Sequence, residues 1–124
     1  MFLLDSNILI YATQPHHVAL RAWLTQQQQT YISAISYIEV LGYHKLQKPE
    51  EQALSTLLSC FETLYPSPTT IHIATGLRRQ FNMSLGDALV AATASEYRLT
   101  LATANTKDFE RIQNFSVINP LMTP

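Results

Sequence analysis

The N-terminal stretch "MFLLDSNILIYA" limits what this chain can fold into more than any other segment. Phe2, Leu3 and Leu4 form a short unbroken apolar run, the pattern of a strand buried on both faces. Asp5 interrupts it, and after Ser6 and Asn7 a second apolar run extends from Ile8 to Ala12. A strand covered on both faces belongs to a sheet with helices above and below. A carboxylate directly behind such a strand is either a solvated loop residue or a group at the mouth of a functional site.

The rest of the chain alternates in the same manner. Strands are expected at 2–4, 30–34, 62–66, 99–103 and 115–119. A helical turn is expected at 7–12, with helices at 16–28, 37–47, 49–61, 69–82 and 87–98. Pro49 followed by Glu50 and Glu51 is a helix start, and the "QQQQ" run at 26–29 closes a helix. Strands alternating with helices predict an α/β fold, a parallel sheet between two helical layers. Ligands of such sheets bind at the carboxyl ends of the strands. Ala88, Ala91, Ala92 and Ala94 leave the last long helix little side-chain bulk, so its backbone can lie close to the sheet. No repeat or linker divides the 124 residues, which make one domain, 1–124.

Composition excludes several function classes. The net charge is −1, which argues against a protein that coats nucleic acid non-specifically, though not against an enzyme that grips it locally. The single cysteine, Cys60, permits no intramolecular disulfide and no thiolate metal cluster, and its run "LLSCFETL" places it in the core. No apolar stretch reaches the roughly 20 residues of a membrane span, and no basic leader precedes the first strand, so a soluble cytoplasmic protein is expected. Charged residues make up only 14% of the chain against about 25% in ordinary soluble domains. Such a surface suits either a partner that covers part of it or one rich in Gln, Thr and Ser.

The acids carry the functional signal. The chain has only three aspartates, Asp5, Asp87 and Asp108, and each falls at a junction of expected elements. Glu39 lies in the first turn expected after the second strand. Parallel topology brings all four to one sheet edge, where they repel one another unless a cation intervenes. Mg²⁺ prefers oxygen ligands and retains water, and such sites commonly cleave phosphodiesters. Each acid also has a structural use. Asp87 after Gly86 suits a helix N-cap, Asp108 suits the dipole of a following turn, and "SYIE" at 36–39 matches a capping box in which Glu39 reaches back to Ser36.

"LLDSNILIY", "ISYIEVLGY", "LGDALVAATA" and "LATANTKDF" resemble, in order and spacing, the motifs of PIN-domain ribonucleases, and more narrowly VapC-type toxins including the FitB-like branch. The resemblance runs from residue 3 to about 118. It implies a PIN-like three-layer α/β/α fold with a parallel sheet of four to five strands, and a metal-dependent endoribonuclease that cuts structured RNA, tRNA or ribosomal RNA. It also implies a homodimer occluded by a small antitoxin. The family's acidic site maps onto Asp5, Glu39, Asp87 and Asp108, with Asp5 and Asp87 binding Mg²⁺ (or Mn²⁺) directly and the other two directly or through water. Glu39 is the preferred base for the attacking water. Asn7, Thr103 and Asn105 match the family's supporting polar residues. Ser6 stands where Thr is frequent, and Ala104 where many relatives carry Arg, leaving Lys107 or Arg111 to supply a basic contact.

Other features fit a structural role. His16, His17, His44 and His72 lack ligand spacing and are expected at the surface or core edge, and Tyr11, Tyr37 and Tyr43 suit core packing better than base stacking. Two rival functions remain: a PIN-like module that binds RNA or protein without cutting, and a receiver-type signalling domain. The receiver pattern needs adjacent acids after the first strand and an Asp after the third, yet Asp5 is followed by Ser6 and "LYPSP" holds no acid.

Overall fold

The computed structural model describes residues 1–122. Five strands, β1 (Phe2–Leu4), β2 (Thr30–Ser33), β3 (Glu62–Leu64), β4 (Thr100–Ala102) and β5 (Val117–Ile118), form one sheet in the order β3-β2-β1-β4-β5. Every pairing is parallel. The helices are α1 (Ser6–Ala12), α2 (Val18–Gln26), α3 (Ala34–Leu41), α4 (Lys48–Leu58), α5 (Pro68–Phe81) and α6 (Leu85–Tyr97). The expected α/β architecture is therefore present, with the upper of the two expected strand counts.

Successive residues of a strand point to opposite faces, and β1 uses both. Leu3 joins Leu101 and the apolar residues of α5 and α6 in one core. Leu4 joins Ile32, Ala102 and residues of α1, α2, α3 and α4 in a second core on the other face. This is why an unbroken apolar triplet opens the chain. In α6, seven consecutive residues from Ala88 to Ala94 are buried, as expected of a helix that is apolar all round. α5 is fastened to α6 at its start, where the Ser67 and Thr70 hydroxyls both donate to the Glu96 carboxylate.

Several boundaries differ from those read in the sequence. α3 starts three residues early because Ser33, not Ser36, is its N-cap; Ser33 Oγ accepts from the Ile35 amide at 3.1 Å. It ends at Leu41, where Gly42 is the C-cap, rather than at 47. α2 begins only at Val18, with His17 as N-cap and without a side-chain capping bond. Cys60 lies in the turn after α4 and is exposed, not in the core. Tyr37 and Tyr43 are exposed and Tyr11 is half-buried, so the expected core packing of the tyrosines fails for the first two. His16, His44 and His72 are exposed and His17 half-buried, as expected. No helix of the described residues is long and apolar enough to cross a membrane.

Candidate active site

The strand order reverses at β1, which has β2 on one side and β4 on the other. Parallel sheets leave a crevice at the carboxyl end of such a switch point. Asp5 stands there, one residue beyond β1, and its amide donates to the Ala102 carbonyl at the end of β4 at 2.9 Å. Only 7% of its surface is exposed. Its Oδ1 accepts from the Ser6 amide at 2.8 Å, so it caps α1, and its Oδ2 accepts from Thr103 Oγ1 at 2.8 Å.

Thr103 organises the polar surroundings of that carboxylate. Its hydroxyl oxygen accepts from Asn7 Nδ2 at 3.3 Å and from the Asn105 amide at 3.1 Å, and Asn7 Oδ1 accepts from the Ala104 amide at 3.1 Å. Asn7 and Thr103 thus lock the loop after β4 onto the start of α1. Asn105 contributes its backbone instead: among the described residues its exposed side chain finds no partner.

The other acids lie on elements that meet at the same edge. Glu39 is exposed on α3, and its Oε1 accepts from Ser6 Oγ at 2.7 Å. The capping-box alternative for Glu39 is excluded, since α3 is already capped by Ser33 and Ser36 is buried within it. Asp87 is not an N-cap either. Ser84 fills that role, its Oγ accepting from the Asp87 amide at 3.1 Å. The pattern Ser-x-x-Asp at 84–87 carries the signal for this cap. Asp108 is exposed at the end of a 3-10 turn, Thr106–Asp108. Asp87 and Asp108 line a shallow pocket of about 310 Å³ together with Lys107 and Arg111.

The acids act on one another through space. Burial raises the Asp5 carboxyl above its ordinary range, the negative charges of Asp87 and Glu39 raise it further, and the bonds from Thr103 and Ser6 partly offset this. Asp87 is raised by burial first, then by Asp108 and Glu39, with hydrogen bonding at Ser84 opposing. Among the described residues, no three His, Cys, Asp or Glu side chains are grouped tightly enough to hold a metal ion unaided. The site is a set of mutually repelling carboxylates, not a closed cage.

Known proteins share this fold. The PIN domain family model matches residues 2–114. A toxin–antitoxin complex from Klebsiella pneumoniae contains a chain 32% identical, with a TM-score of 0.80 over 97% of this chain and 98% of that one. VapBC2 from Rickettsia felis, bound to a DNA fragment from its promoter, is 26% identical with a TM-score of 0.84, covering 95% and 97% of the two chains. FitAcB from Neisseria gonorrhoeae is 26% identical with a TM-score of 0.84, covering 99% and 100%. No curated protein sequence matches. Fold and site edge define a three-layer α/β protein with an acidic crevice at its switch point. The chain belongs to the PIN-domain family, and its likeness to VapC-type toxins stands.

Proposed function

We propose that this chain, as a single PIN domain over 1–124, is the toxin of a type II toxin–antitoxin pair and hydrolyses phosphodiester bonds in structured RNA, tRNA or ribosomal RNA, with Mg²⁺ or Mn²⁺. The observation that carries the reading is Asp5, a buried carboxylate at the switch point on which the negative charges of Asp87 and Glu39 act. A protein retains such repulsion where a cation relieves it. The donors are all carboxylate oxygens, the set suited to hard divalent ions. Mg²⁺ takes only one or two carboxylates directly and fills its shell with water and phosphate oxygens, so an open group of acids fits it.

Asp5 and Asp87 would hold the ion directly, and Glu39 and Asp108 would complete the negative rim, directly or through water. When bound, the ion offsets charge on the phosphate and makes water a better nucleophile at neutral pH. Glu39 takes the proton of the attacking water. Thr103 and Asn7 keep the Asp5 carboxylate in place, the orienting role such neighbours play around metal ligands. Lys107 supplies the basic contact to the RNA backbone, because the Arg111 guanidinium is engaged by the Phe81 carbonyl and ring.

The protein works in the cytoplasm as a homodimer held inactive by a small antitoxin. In support, the similar structure from Klebsiella pneumoniae is a toxin–antitoxin complex. Ile10 is also exposed on α1, Tyr37 and Ile38 on α3 next to Glu39, and Ile71 and Leu85 on α5 and α6. The test is cleavage of tRNA and ribosomal RNA with Mg²⁺, repeated with chelator and with Asp5→Asn after circular dichroism shows it folded. Cleavage lost in both supports the reading; cleavage surviving both overturns the metal mechanism, and RNA bound but never cut by the wild type points to a non-catalytic module. Expression should arrest growth for the wild type and not for Asp87→Asn.

A further inference from the structure

Glu39 is exposed on α3, and a long side chain on a helix surface samples many rotamers. Two contacts nevertheless fix its carboxylate. On one side Ser6 Oγ donates to Oε1 at 2.7 Å. On the other lies Gly86, in the first turn of α6, where a Cβ would fall 2.8 Å from Oε2 and 3.5 Å from Cδ. No side chain larger than hydrogen fits at 86 while Glu39 stays where it is.

The glycine is not required by the backbone. No glycine of the described residues has a positive φ, and Gly86 lies in the first turn of a helix, where alanine is the better helix former. The residue next to Asp87 therefore weakens its own helix and leaves room for a carboxylate from another element. We infer that Gly86 is a positioning residue: its missing side chain provides the clearance that lets Glu39 stand between the starts of α1 and α6, with the Ser6 hydroxyl as the opposing support. The inference deepens the nuclease reading and rests on it for the catalytic consequence alone; the placement of Glu39 stands apart from it. A methyl group at 86 displaces the free end of Glu39 and nothing in the backbone, so the carboxylate moves and the fold does not.

The experiment compares Gly86→Ala, Ser6→Ala and Ser6→Thr with the wild type. Gly86→Ala is expected to melt at or above the wild-type temperature, because helix propensity improves. Its crystal structure should show Glu39 Oε1 out of hydrogen-bond distance of Ser6 Oγ. Mn²⁺ affinity, read by electron paramagnetic resonance, and kcat on RNA should each fall by roughly 10–100-fold, the usual loss when a group that orients a metal ligand is removed. KM should change little. Ser6→Ala should show the same loss, and Ser6→Thr, which keeps the hydroxyl, should recover most of it. A Gly86→Ala structure with the Ser6–Glu39 bond intact overturns the inference, as do wild-type Mn²⁺ affinity and kcat in that variant. A wild type that neither binds Mn²⁺ nor cuts RNA overturns the nuclease reading, and the Gly86→Ala crystal structure then still decides the placement of Glu39.

Discussion

The Thr103 hydroxyl donates to Asp5 Oδ2 at 2.8 Å and joins the ends of two neighbouring parallel strands that are 98 positions apart in the chain. Both residues are buried, so the bond has no water to replace it. Thr103→Val keeps the shape but removes the donor to Asp5 and the acceptor of the Asn7 and Asn105 bonds. Leaving a buried carboxylate oxygen unpaired costs about 1–3 kcal/mol. Urea unfolding at neutral pH should show a loss in that range, with Thr103→Ser close to the wild type.

Stability of the metal-free protein should fall as pH rises out of the carboxylate range. Asp5 and Asp87 both have native pKa values above the ordinary 3.8. Between the ordinary and the raised values the folded state holds protons that the unfolded chain has released, and stability then declines with pH. Thermal melts in chelator at increasing pH from about 4 should show the decline, then a plateau once both groups are ionised. Mg²⁺ should restore stability on the plateau and do little at the acid end.

Asp87→Asn removes one of the repelling charges without changing side-chain size. The metal-free variant should melt higher than the wild type at pH 7, and Mg²⁺ should raise its melting temperature less. The reverse order in differential scanning calorimetry would count against the repulsion.

Ser36 is fully buried in α3, and its hydroxyl finds no hydrogen-bond partner among the described residues. An unpaired buried hydroxyl is unfavourable by about 1–3 kcal/mol. Ser36→Ala should be neutral or stabilising by roughly 1 kcal/mol in urea unfolding, since only one polar atom is removed and little volume is lost.

Lys107 stands in the pocket that Asp87 and Asp108 line. Lys107→Ala should weaken RNA binding similarly across sequences and lower the slope of log affinity against log salt by about 1. Filter binding in chelator, where no cleavage competes, measures both.

What the sequence determined by itself follows from local rules. The apolar triplet before Asp5 announced a strand covered on both faces, and the two cores that divide Leu3 from Leu4 bear this out. Alternating periodicity gave the parallel α/β class, and the alanines of α6 gave its burial. The four motifs pointed to the PIN family, which the family model matches. Only the tertiary structure decided the contacts between distant segments. The cap of α3 at Ser33 rather than Ser36 depends on where β2 stops, and Ser33 is the last residue of β2 to pair, with Leu64 of β3. The bond from Ser6 to Glu39 and the clearance at Gly86 join residues 33 or more positions apart, and no periodicity or propensity encodes such a meeting. The physical reason is range: propensity, capping and patterning act within a few residues, while a site at the carboxyl edge of a sheet is assembled by strand register and helix packing.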